Sequence, residues 1–165
     1  MPAHDRIAEL EQRLDDLTDT VDRLQDREAV RELCYDYCYT VDSGDWDAFI
    51  DLFTEDAHVE YRREGHGTYE GHAGLREFVK VAKDDRGFMV HMIHNPVVTM
   101  NGDESKAYCY FEIPVVDADG EALWLQGRYD LGCRRVDGTW KIARHVATYN
   151  YVAPYEHGWA DEVDA

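Results

Sequence analysis

Apolar residues recur at Ile7, Leu10, Leu14, Leu17, Val21 and Leu24, with spacings of three and four and with acidic, arginine and other polar side chains at most positions between them. This is an a/d seam over three heptads, and it predicts an amphipathic helix over residues 1–27. The seam suits association with another chain, or packing on the helix's own domain. Arg6 and Glu11 fall at g and the following e, where an interchain pair is favourable, whereas Thr18, Thr20 and Gln25 specify little. The heptad frame breaks at Glu28 and Arg31, and a new apolar face begins with Val30, Cys34, Tyr37, Cys38 and Val41, spaced for a helix lying on a core. Asp42-Ser43-Gly44-Asp45 ends it: Gly44 can adopt the left-handed conformation that closes a helix, and Asp45 can cap the next, predicted from Trp46 to about Phe53.

After Asp56 the period shortens to that of a strand. His58–Tyr61 reads as a short β segment, followed by a Gly-rich turn region from Gly65 to Gly71 and a third helix over Gly74 to Lys83. Four β-rich runs then follow, roughly 89–100, 105–116, 122–135 and 140–151, separated by Asn101-Gly102, Asp119-Gly120 and Asp137-Gly138. Runs joined by such turns form an antiparallel meander. Helices first and a curved sheet afterwards predict an α+β cone, with the sheet wrapped around a helix and a pocket at the open end. The expected organisation is an N-terminal amphipathic helix (1–27), a cone domain (28–151) and a short acidic tail (152–165).

The 165 residues carry 17 Lys plus Arg against 35 Asp plus Glu, a formal charge of −18. A charge of this sign and size repels phosphate backbones and anionic lipid, so neither nucleic acid nor a membrane surface is expected as a partner. Only Lys80, Lys83, Lys106 and Lys141 are lysines, and an acid-rich, Lys-poor surface suits solubility at high salt, where screening removes self-repulsion. A saline cytoplasm is the expected setting, because the N-terminus shows no apolar signal-peptide core. Cys34, Cys38, Cys109 and Cys133 are few and scattered, and read as reduced core residues.

Candidate chemistry gathers in segments expected to face one cavity: Tyr37 and Asp42 on the first core helix, Tyr61 on the first strand, and His91 at the start of the meander. Imidazole can move a carbon-bound or hydroxyl proton, a carboxylate can orient the ring, and tyrosine hydroxyls can hold a carbonyl oxygen. The same residues also read as a helix-terminal turn aspartate and a core tyrosine, since positions five apart lie about 140° apart on a straight helix. No metal is expected: His91 and His94 point to opposite faces of a strand, and Cys34 with Cys38 suits core packing. Eleven tyrosines and four tryptophans predict an aromatic pocket lining that suits a flat, apolar ring compound, with Trp46, Trp124, Tyr129, Tyr149 and Cys109 as its expected members.

The segments DREAVRELCYDYCYTVDSGDWDAFIDLFTEDAHVEY (26–61), HMIHNPVVTM (91–100) and GRYDLGCRRVDGTWKIARH (127–145) resemble the SnoaL-like branch of the nuclear transport factor 2-like superfamily. The resemblance spans about residues 26–151 and implies the same α+β cone. Within the branch the pattern is most similar to scytalone dehydratase and bile-acid 7α-dehydratase, which implies cofactor-free elimination and a homotrimer, with a dimer as the alternative. On the bile-acid enzyme's pattern the catalytic tyrosine, aspartate and histidine fall on Tyr37, Asp42 and His91. On scytalone dehydratase's pattern the aspartate and histidine fall on Asp42 and His91, and a pocket tyrosine on Tyr61. Scytalone dehydratase's second histidine falls on Cys109 and its pocket asparagine on Tyr129, which argues against its own substrate. Steroid isomerases of the superfamily carry a carboxylate base where this chain has Tyr61, although Tyr37 matches their oxyanion tyrosine.

The expected activity is thus a cofactor-independent dehydratase-like lyase acting on a cyclic, carbonyl-bearing small molecule. An isomerase or cyclase with the same dyad, or a non-catalytic small-molecule-binding or assembly subunit, are the alternatives.

Overall fold

Residues 3–43 contain neither glycine nor proline, and both apolar faces are carried by one unbroken helix, α1 (Ala3–Ser43), about 60 Å long at 1.5 Å per residue. The computed structural model describes residues 3–63, 67–84 and 87–160. The change of frame near Glu28 is therefore a change of which helix face is apolar and not a break in the backbone: Val30 is fully buried, while the six seam residues before it are exposed. Asp26 marks the crossover, accepting hydrogen bonds from the Trp140 indole (3.1 Å) and the Arg135 guanidinium.

Gly44 closes α1 at φ 69°, and the Asp45 carboxylate accepts from the Ala48 amide at 3.2 Å to cap α2 (Trp46–Asp51). The helix expected to reach Phe53 stops earlier, because the Leu52 carbonyl accepts from Ile142 N–H and Phe53 opens β1 (Phe53–Arg62). β2 (Thr68–Glu70) and α3 (Gly71–Asp84) follow, and then β3 (Met92–Asn101), β4 (Glu104–Val116), β5 (Ala122–Val136) and β6 (Thr139–Pro154). The expected Gly-rich turn is in part outside the described residues at its Gly65 end.

The six strands form one curved, unclosed sheet in the order β2-β1-β6-β5-β4-β3. All neighbours are antiparallel except β1 and β6, which run parallel. Register shifts at His94/Val97, Gln126/Gly127 and Gly132/Cys133 add the local bend that lets the strands curl around α1. At Gly127 a side chain has no room: a Cβ would sit 2.2 Å from the Thr148 carbonyl oxygen and 2.6 Å from the Phe111 ring. The C-terminal half of α1, α2 and α3 pack on the concave face, with Phe49, Phe53, Leu75, Phe111 and Ile142 fully buried between the layers. All four cysteines are free and buried in that core.

The last strand runs three residues beyond its expected end, pairing Pro154 with Leu123, and the chain then turns back so that Trp159 stacks on Tyr151 and meets Trp124 edge-on. The first part of the expected acidic tail thus packs on the sheet, and residues 161–165 lie outside the described residues. No helix among the described residues is long and apolar enough to cross a membrane.

Candidate active site

The end of α1 and the segment leading into β3 are joined by one carboxylate. Asp42 sits in the last turn of α1, and its Oδ1 lies 2.6 Å from His91 Nδ1 while both its oxygens accept from the His91 backbone N–H, at 2.9 and 3.2 Å. The segment carrying His91 is tied to the sheet by Val90 N–H to the Pro114 carbonyl and by Val116 N–H to the Phe88 carbonyl. The His91 side chain is 5% exposed and that of Asp42 20%. A carboxylate accepts and does not donate, so the shared proton resides on Nδ1, and in the neutral ring it is Nε2 that carries the lone pair.

Both residues line a cavity of about 540 Å³ enclosed by α1, α3 and the inner face of the sheet, a size that suits a small organic ligand. Tyr37 and Tyr61 line it too, with their hydroxyls 3.1 Å apart. The Tyr37 ring stands edge-on to His91, centroid to centroid 6.2 Å. Burial pushes both phenols up from their ordinary value, so each stays a protonated hydroxyl able to donate to a ligand oxygen. Tyr37 and Asp42, five residues apart, face the same cavity because it wraps around the helix end, touching Val41 as well.

Trp46, Tyr129 and Tyr149 line the cavity. Cys109 and Trp124 do not. Cys109 points inward but is fully buried beneath the cavity, in the core with Cys34 and Phe111. Trp124 alternates with Leu123 and Leu125, which do line the cavity, and so faces the other side of β5 against Tyr155 and Trp159.

Two residues not singled out from the sequence belong to this region. His145 on β6 is completely buried, stacks on Tyr37 at 4.5 Å, touches Tyr61 and Tyr129, and neither ring nitrogen has a hydrogen-bond partner among the described residues. Burial pushes its pKa down to about 3, so it is a neutral floor to the tyrosine cluster. Stepping back in twos from Tyr149 through Ala147 reaches His145, so strand alternation could have found it. Arg63 brings the one Lys or Arg side chain to the cavity wall among the described residues, its guanidinium carbon 5.9 Å from the Tyr149 ring centroid. It lies just past the end of β1, where no periodicity marks it. Among the described residues no three His, Cys, Asp or Glu side chains converge to hold a metal ion.

The family profile of the SnoaL-like domain matches residues 22–146, from the end of the heptad seam to the middle of β6. The chain belongs to the SnoaL-like domain family. Its fold recurs in a protein of Novosphingobium aromaticivorans provisionally named an aromatic ring hydroxylase, 31% identical, with TM-score 0.74 over 81% of this chain and 96% of that one. Hexachlorocyclohexane dehydrochlorinase LinA-type3 of Novosphingobium barchaimii has the same fold at 23% identity, with TM-score 0.75 over 82% and 93% of the two chains. So does a protein provisionally named scytalone dehydratase from Novosphingobium aromaticivorans, at 20% identity, with TM-score 0.74 over 82% and 91%. In this SnoaL-like chain the aspartate–histidine pair, the tyrosine pair and every cavity-lining residue except Tyr149 fall inside the matched segment.

Proposed function

We propose that this protein is a cofactor-independent lyase that eliminates water from a cyclic, carbonyl-bearing small molecule. The observation that carries the reading is the 2.6 Å contact of Asp42 with His91 Nδ1, in the wall of an aromatic cavity that also presents the Tyr37–Tyr61 hydroxyl pair. His91 Nε2 takes the proton from the carbon α to the carbonyl, and the C–H electron pair becomes the enolate. Tyr37 or Tyr61 donates to the enolate oxygen, and Asp42 offsets the positive charge that the ring gains. The enolate then re-forms the carbonyl, the new C=C bond forms as the β C–O bond breaks, and the proton on Nε2 leaves with the hydroxyl as water, which returns His91 to its starting form. The names of two structural neighbours, a dehydrochlorinase and a dehydratase, describe eliminations and favour this class over an isomerase or cyclase.

The second reading, open from the sequence, is an inert pocket in a small-molecule-binding or assembly subunit. One experiment separates the two. Wild type and His91→Ala are screened by native mass spectrometry against cyclic β-hydroxy ketones and polycyclic aromatics, and the ligands found are followed by ultraviolet absorbance for new conjugation. Conversion by wild type with binding alone by the variant supports elimination. Binding by both with no turnover by either supports the inert pocket.

A further inference from the structure

The six seam residues of α1 have no cover among the described residues: Ile7, Leu10, Leu14, Leu17, Val21 and Leu24 are 48–63% exposed along one stripe of a helix that meets the cone only from about Asp26. The stripe stops where the cone begins, because the next a and d positions are Glu28 and Arg31. We infer that this stripe is the interface of a parallel, two-stranded coiled coil between two copies of this chain.

Two features of the sequence on this helix select that occupant and that orientation. The a positions hold Ile7, Leu14 and Val21 and the d positions hold only leucine, and β-branched a residues over leucine d residues favour two parallel strands. The flanking charges give the direction. With the copies parallel, Arg6 at g faces Glu11 at e of the partner copy, once on each side of the seam. With the copies antiparallel, g faces g, so Arg6 meets Arg27 and Arg13 meets Thr20, which places two pairs of like charges and no opposite pair along that flank. The other acidic residues between Ile7 and Leu24, Glu9, Asp15, Asp16, Asp19 and Asp22, lie at b, c and f, away from the contact. A parallel pair also holds both cones at the same end, their cavities untouched by the seam.

Light scattering coupled to gel filtration on the full chain tests the inference. Wild type is expected at twice the chain mass, and Leu14→Lys/Leu17→Lys at the chain mass with an unchanged near-ultraviolet circular dichroism signal, because both leucines are exposed in a single copy. Under oxidation Leu10→Cys is expected to cross-link to itself, since parallel d positions meet their own counterparts. A wild-type monomer or trimer overturns the inference, as does a double-lysine variant that assembles like wild type. Failure of Leu10→Cys to self-link, with ready linkage to a Val21→Cys chain, overturns the parallel orientation.

Discussion

Asp42 grips His91 by ring and backbone together, so the imidazole is fixed in rotamer and in tautomer before any ligand arrives. On the proposed elimination, His91→Ala is expected to lower kcat by about 10²- to 10⁴-fold, the usual scale of general acid–base catalysis, with ligand binding retained. Asp42→Asn keeps a similar shape but removes the charge that stabilises the protonated ring, and is expected to lose kcat more than affinity. Steady-state kinetics on a ligand from the screen checks both, and wild-type rates in either variant would end the mechanism. His145 makes a separate, purely thermodynamic claim. Its buried ring titrates near 3, whereas an unfolded histidine titrates near 6.5, so between these values the unfolded chain binds the extra proton. The stability due to a neutral His145 is therefore fully present above about pH 6.5 and falls as the pH drops towards 3. His145→Phe, which retains a ring to stack on Tyr37, is expected to flatten the urea midpoint between pH 6.5 and 4.5 relative to wild type. Parallel profiles for the two proteins would show that the buried imidazole is not responsible.

At the scale of elements, α1 is two devices on one backbone, an exposed seam up to about residue 25 and a core-packing face from Val30 onward. The joint is Asp26. Hydrogen bonds from Arg135 and Trp140 lower the pKa of its carboxyl, so its contribution to stability is fully present above the ordinary carboxylate value and lost as the pH falls from there through the lowered one. Gly127 is the corresponding point in the sheet. Gly127→Ala drives a Cβ into the Thr148 carbonyl and the Phe111 ring where β5 bends, and is expected to cost about 1–3 kcal/mol or more, read as a lower thermal midpoint. An unchanged midpoint would mean that the bend relaxes freely. These elements were unequally legible in the sequence. Gly44 and Asp45 act through their own backbone and side chain, so the α1–α2 turn could be read directly. The early end of α2 could not, because it depends on pairing with Ile142, ninety residues away in the chain.

At the scale of the whole molecule, the charge of −18 is the dominant global term. Screening shortens from about 10 Å at 0.1 M salt to about 3 Å at 1 M, so repulsion between surface carboxylates weakens steeply over that interval. The thermal midpoint is expected to rise between 0.1 and 2 M KCl, and dialysis to low salt is expected to favour unfolding. A midpoint independent of salt would remove the argument for a saline setting. The same charge gives an ionic-strength dependence to any association of copies, although the Arg6–Glu11 pairing works in the opposite sense and is itself weakened by salt.

What the sequence alone determined were the properties that act over a few residues or are summed over all of them: the heptad seam, the capped turn at Gly44-Asp45, the glycine turns between strands, the net charge and the family pattern that marked Tyr37, Asp42, Tyr61 and His91. The tertiary structure decided everything that depends on which face of an element turns inward. It sent Trp124 to the outer face of β5, sank Cys109 below the cavity, and brought His145 beneath Tyr37. The physical reason is that a strand offers two faces with equal local propensity, and only closure of the curved sheet on α1 selects the one that becomes the cavity wall.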